Sequence, residues 1–69
     1  MENWTKVYET EDLQNAELLK SVLLNEGIEA VTLNQKDSSY VVYGTISIYV
    51  PNEMAEQANN IIKSQLSSE

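Results

Sequence analysis

Two stretches of the chain alternate between apolar and polar residues, and a period of two is typical of β-strands. In residues 45–50, Ile46, Ile48 and Val50 fall on one face and alternate with Thr45, Ser47 and Tyr49. Residues 4–9 alternate in the same way, and residues 28–34 form a third apolar segment. The pattern therefore predicts strands at 4–9, 28–34 and 45–50, the last ending before a proline that cannot donate to a sheet.

Two other stretches follow the helical period. The sequence predicts a helix over residues 13–26, with a stripe of Ala16, Leu19, Val22 and Leu23, and a second over 53–66, with a stripe of Met54, Ala55, Ala58, Ile61, Ile62 and Leu66. Thr10 or Asp12 can cap the first helix, Gly27 can end it, and Asn52 can cap the second. Leu18 and Leu24 lie off the stripe, so they either widen the buried face or present apolar surface to a partner.

The order β-α-β-β-α predicts an α+β fold in a single domain over residues 1–69. A helix between the first two strands makes them parallel. A split β-α-β unit places the third strand between them, giving the spatial order 2-3-1 with both helices on one face. This is a ferredoxin-like arrangement whose fourth strand is absent. The first strand then has an open edge, which either pairs in a dimer or stays as a short solvated edge.

The amino-acid composition limits the reactions, metal sites and partners that are possible for this chain. The chain has 4 Lys, no Arg, no His and no Cys against 11 Asp and Glu, so the net charge is −7. The missing residues exclude disulfides, thiol catalysis and metal sites built on Cys or His. The sequence also shows no pair of a nucleophile and a general base, so we expect that the protein is not an enzyme. The acidity disfavours nucleic acid and anionic membranes. With no apolar span and no signal peptide, the expected compartment is the cytoplasm.

The carboxylates and glycines give no cofactor or metal site. Glu11 with Asp12, and Glu53 with Glu56, could be hard-metal ligands, but both pairs lie at predicted helix starts, where acidic residues complement the helix dipole. Gly27 and Gly44 are isolated, so no phosphate-binding loop is present. We therefore expect no bound cofactor.

An aromatic surface is the first candidate site. If Val7 faces the helices with the apolar residues of the third strand, Trp4, Tyr8 and Tyr49 lie on the opposite, open face of the sheet. An exposed aromatic cluster indicates an interaction surface, which here favours a protein partner or self-association. Base stacking is the alternative that the charge disfavours. The alternative to an interaction surface is that the rings are simply exposed to solvent or are covered by loop residues.

Several short motifs are similar to one known family. They are Val7-Tyr8, Thr10 to Asp12, residues 16–19, residues 26–28 (Glu-Gly-Ile), Val50-Pro51 and residues 55–58. With these the chain resembles the small bacterial domains called putative prokaryotic signal-transducing proteins, over nearly its whole length. The resemblance implies a ferredoxin-like fold similar to nitrogen-regulatory PII proteins and carries over no catalytic residue. Leu24 departs from the polar residue that members often have there, which makes it a second candidate for a partner surface.

The segment 34–44 is a polar hairpin loop that contains Lys36, Asp37, Tyr40 and Tyr43. In PII-like proteins the corresponding loop is a recognition loop, so the resemblance implies the same role; the alternative is a solvated connection. The sequence thus favours a non-catalytic binding or signal-transducing module that acts on a protein partner or on itself. The alternative is a sensor that binds a small molecule near the 34–44 loop.

Overall fold

The computed structural model describes residues 2–35 and 45–66, and the predicted element order is confirmed. Strand β1 is Trp4–Thr10, helix α1 is Leu13–Asn25, strand β2 is Val31–Gln35 and strand β3 is Thr45–Pro51. A 3-10 turn, Asn52–Met54, leads into helix α2, Ala55–Leu66.

The three strands form one sheet in the order β1-β3-β2. Both outer strands are antiparallel to β3, so β1 and β2 run parallel to each other, as a helical crossover between them requires. This confirms the predicted α+β, ferredoxin-like arrangement. Within residues 2–35 and 45–66 no fourth strand is present, and the outer edges of β1 and β2 are both unpaired.

Both helices pack on the same face of the sheet. Ile48 and Val50 of β3 are fully buried there, in one cluster with residues of both helices: Leu19, Leu23, Ala58 and Ile62. The predicted stripe of α1 is confirmed at three positions, and its fourth, Val22, is half-buried. Apolar burial at a single helix–sheet interface is therefore what holds this small domain together.

The ends of α1 are closed by local hydrogen bonds. The Asp12 carboxylate accepts from the backbone N–H of Gln14, which makes Asp12 the N-cap. At the other end the Gly27 N–H donates to the Leu24 carbonyl at 3.0 Å, and the Ile28 N–H donates to the Leu23 carbonyl at 2.9 Å. This is a Schellman motif, and its glycine has a φ of +86°.

Replacing Gly27 with alanine is expected to lower the free energy of unfolding by about 1 kcal/mol. An added Cβ meets no atom within 4 Å, so the cost is the left-handed backbone strain, partly offset by a less flexible unfolded chain. Chemical denaturation of Gly27→Ala measures this. Gly27→Asn is the matched control and should lose less, because asparagine tolerates this conformation. Equal stability of wild type and Gly27→Ala would contradict the argument.

Four details of the elements differ from the sequence predictions, and the first is that helix α2 begins at Ala55 rather than at residue 53. Strand β2 begins at Val31 rather than residue 28, although Ile28 and Ala30 are buried. Asn52 was expected to cap the second helix, but its side chain bonds to Thr5 and to the Glu2 carbonyl, tying β1 to the turn. Leu66, placed in the buried stripe of α2, is exposed because it is the last residue of the helix.

Candidate functional site: the open face of the sheet

The face of the sheet opposite the helices is called the open face here. Strand register defines it, because residues directly opposite each other in an antiparallel pair share a face. Tyr49 pairs with Lys6 on one side and with Val31 on the other, and Trp4 pairs with Pro51. The third row places Ser47 between Glu9 and Leu33. No helix of the described chain packs on these residues.

Trp4 and Tyr49 give the open face its aromatic character. Both side chains are half-buried, so each ring presents part of its surface. Trp4 lies diagonally across from Tyr49, two positions before the residue that pairs with it, and diagonal neighbours are within reach of aromatic side chains. The predicted placement of Trp4 and Tyr49 on the same face is therefore confirmed.

Tyr8 does not lie on the open face, so that part of the prediction is wrong. The register of β1 shifts between Lys6 and Tyr8, which leaves Val7 as an extra residue in a β-bulge. Tyr8 consequently pairs with the buried Ile48 and packs against the core together with Val7. Its hydroxyl accepts a hydrogen bond from the side-chain amide of Asn15 in α1, at 3.4 Å.

Leu24 also lies away from Trp4 and Tyr49. It is 50% exposed on α1, and Leu18 is 58% exposed. A separation of six residues in a helix places these two leucines about 120° apart, on opposite flanks of α1, so they do not form one patch.

Sequence reasoning missed Val31 and Leu33, although their alternation with Thr32 and Asn34 is a signal that could have found them. Leu33 is 38% exposed on the open face.

Strand β1 carries one ion pair on the open face, between Lys6 and Glu9. The Lys6 ammonium lies 2.9 Å from a Glu9 carboxylate oxygen, and both side chains are about half exposed. The hydrogen bond to Glu9, followed by the charge of Glu9, raises the pKa of Lys6 above its usual value. The pair removes Lys6 as an independent positive charge on this face, although exposed pairs of this kind contribute little to stability.

The two outer strands differ in how open their edges are to a further strand. Strand β1 carries the bulge at Val7 and the Lys6–Glu9 pair, and both features oppose strand addition. Strand β2 pairs with β3 in continuous register and has no charged residue between Val31 and Gln35. The sequence analysis predicted an open edge at β1, whereas among residues 2–35 and 45–66 it is β2 that has the less protected edge.

An open cleft of about 450 Å³ lies where β1 begins and β3 ends, lined by Asn3, Pro51, Asn52 and Glu53. The Asn52 N–H donates to the carbonyl of Asn3 at 2.9 Å, so two of the lining residues are joined by a backbone hydrogen bond. The cleft is at the opposite end of the sheet from the paired residues Gln35 and Thr45. The predicted recognition residues Lys36, Asp37, Tyr40 and Tyr43 lie outside the described residues.

The carboxylates of the described chain are dispersed. Across residues 2–35 and 45–66, no group of three or more Asp and Glu residues is placed to hold a metal ion. Asp12 serves as a helix cap, and Glu56 lies in the first turn of α2. Asp12 and Glu56 therefore agree with the interpretation of the acidic pairs as parts of helix starts, whereas Glu11 precedes the cap of α1 and Glu53 lies in the 3-10 turn before α2.

The comparisons with known proteins give a family. A family model described as "putative prokaryotic signal transducing protein" matches residues 4–65. The chain belongs to this family. The family description names a signalling role and no reaction, and it states neither a ligand nor a partner. No curated protein and no solved structure matches the chain. Among the described residues, neither helix has the length and apolar character needed to cross a membrane.

Proposed function

We propose that this protein is a non-catalytic signal-transducing module that acts by binding a protein partner, or a second copy of itself, through the open face. The observation that supports this best is the pair of partly exposed rings, Trp4 and Tyr49, on a face against which no described helix packs. Aromatic side chains with an exposed apolar ring and a polar end are typical of protein interfaces.

The neighbours of these rings extend the same surface. Val31 lies beside Tyr49, and Leu33 lies in the next row, on the edge of β2 that no described strand covers. A partner bound here could cover the rings and pair with that edge at the same time, the mode of recognition in which backbone hydrogen bonds supplement side-chain contacts. The family description supports a signalling role, and the absence of His and Cys supports binding rather than catalysis.

Replacing Trp4 or Tyr49 on the open face is expected to weaken association at least tenfold, because aromatic anchors dominate the energy of many interfaces. The experiment compares Trp4→Thr and Tyr49→Thr with Leu24→Ala, which removes an exposed apolar side chain from the helix layer. Light scattering over a range of concentrations measures self-association. Affinity capture from the source cells, quantified for each variant and followed by titration of the purified partner, measures binding to other proteins.

The three variants separate the candidate surfaces. Loss of association in both open-face variants, with Leu24→Ala unchanged, supports the proposal. Loss only in Leu24→Ala would place the interface on the helix layer and contradict it. A strict monomer whose captured proteins do not depend on Trp4 or Tyr49 would also contradict it. Circular dichroism of each variant confirms that the fold is retained before binding is compared.

A further inference from the structure

We propose that the segment recognised by the open face is positively charged as well as apolar: an extended peptide or protein segment in which Lys or Arg alternates with apolar residues. This inference rests on the proposed function and adds the chemistry of the partner to it. It follows from the carboxylates around the two rings, from the pairing of the cation on this face, and from the affinity of aromatic rings for cations.

Two carboxylates flank the end of the open face that carries Trp4 and Tyr49. Glu29 is exposed between the buried Ile28 and Ala30, two residues before Val31, the first residue of β2. Glu53 is exposed two residues after Pro51, the cross-strand partner of Trp4, and it lines the cleft beside Asn3. Glu29 thus precedes β2 and Glu53 follows β3, at the end of the sheet where Trp4 begins β1.

The positive charge on the described part of this face is already paired. Lys6 is the cation in the row that contains Tyr49, and its ammonium is hydrogen-bonded to Glu9. Lys20 and Lys63 belong to the two helices, which pack on the other side of the sheet. The aromatic end of the open face therefore presents an excess of negative charge to an incoming segment.

The rings and the carboxylates favour the same side chains. The face of a Trp or Tyr ring attracts Lys and Arg, most strongly when the cation is partly desolvated, and an adjacent carboxylate completes the site with an ion pair. The apolar residues of the segment would contact Val31 and Leu33. A basic segment therefore matches the open face both in charge and in apolar contacts.

Charge also distinguishes this partner from a second copy of the chain. Each chain carries a net charge of −7, so two copies that bring their open faces together repel each other at low salt. A basic segment is instead attracted, and its association is accelerated at low salt. Complementary charge therefore favours a basic partner over a second acidic chain.

The test uses the full chain and three synthetic peptides of equal length. All three alternate Val and Leu with a polar residue, which is Lys or Arg in the first peptide, Gln in the second and Glu in the third. Titrations followed by Trp4 fluorescence and by backbone amide chemical shifts, at about 0.05 M and 0.3 M salt, give the affinity, its salt dependence and the binding face. We expect the basic peptide to bind at least tenfold more tightly than the Gln peptide, with shifts concentrated on Trp4, Tyr49, Val31 and Leu33.

A pair of double variants tests the role of the two carboxylates. Glu29→Gln with Glu53→Gln should weaken binding of the basic peptide about three- to tenfold and reduce its salt dependence, as expected for the loss of two exposed ion pairs. Glu17→Gln with Glu56→Gln removes the same charge from exposed positions on α1 and α2 and should leave the affinity within about twofold of wild type. Equal weakening in both double variants would show that only the total charge matters, which would overturn the assigned site.

The remaining outcomes distinguish this inference from the proposed function. If the Gln peptide binds the open face as tightly as the basic one, the partner chemistry is wrong but the binding face stands. If no peptide binds while wild type self-associates through Trp4, the partner is a second copy and the inference is again wrong. If no association of any kind depends on Trp4 or Tyr49, the proposed function fails together with it.

Discussion

Leu23→Ala is expected to lower the free energy of unfolding by about 3–5 kcal/mol, a large part of the stability of so small a domain. Leu23 is fully buried in the cluster that joins both helices to β3, and its carbonyl accepts the Ile28 N–H in the Schellman motif. Truncating a buried leucine to alanine costs about 3–5 kcal/mol when the cavity cannot collapse. A domain of 69 residues has roughly 3–10 kcal/mol of stability in total, so this single change removes at least about a third of it.

The adjacent leucine supplies the control. Leu24→Ala makes the same chemical change in the same turn of α1, but Leu24 is 50% exposed, and the cost should be below about 1 kcal/mol. Urea denaturation followed by circular dichroism gives both values. Similar losses in the two variants would show that the core is not centred on the buried face of α1.

The sequence was sufficient for most of the fold because each element carries its own local signal. The strict alternation of β3 identified Ile46, Ile48 and Val50 as the buried face, and all three are buried. Asp12 and Gly27 marked the ends of α1 through chemistry that acts within a few residues. Strand order then followed from the connections, because a helical crossover and a hairpin leave few arrangements open.

Features that depend on contacts distant in sequence could not be predicted in the same way. Asn52 has the residue type of a helix cap, but its side chain forms hydrogen bonds with Thr5 and with the Glu2 carbonyl instead. These residues become its neighbours only when β1 pairs with β3. The open face was predicted in part. Trp4 and Tyr49 were assigned correctly from alternation, whereas the contribution of β2 requires the register that places Val31 beside Tyr49.

The bulge in β1 explains why the alternation of the sequence assigned Tyr8 to the wrong face. Alternation from Trp4 places Tyr8 on the open face, and this is valid only if the register is continuous. The adjacent apolar residues Val7 and Tyr8 are the signal of an interruption, because a regular strand would place them on opposite faces. In the structure both pack against the core. The aromatic surface is therefore smaller than the sequence pattern indicates, and the core is larger.

Tyr8→Ala separates these two interpretations of β1. The structure predicts that it lowers the free energy of unfolding by about 2–3 kcal/mol, because the ring is half-buried against the core and its removal leaves a cavity beside Ile48. Tyr8→Phe should cost less than about 1 kcal/mol, since it removes only the 3.4 Å hydrogen bond from Asn15 and keeps the ring. Urea denaturation followed by circular dichroism measures both variants.

Trp4→Ala is the matched comparison for the open face. Trp4 lies at the start of β1 and pairs with Pro51 rather than with a core residue, so its removal should destabilise the domain less than removal of the Tyr8 ring. Binding should show the reverse order: Tyr8→Phe keeps wild-type affinity for a partner of the open face, whereas Trp4→Ala weakens it. If Tyr8→Ala were as stable as wild type but defective in binding, the bulge would be contradicted. That result would support a continuous register in β1, with Tyr8 on the open face. The opposite result, loss of stability without loss of affinity in the folded fraction, assigns Tyr8 to the core and leaves Trp4 and Tyr49 as the aromatic pair available to a partner.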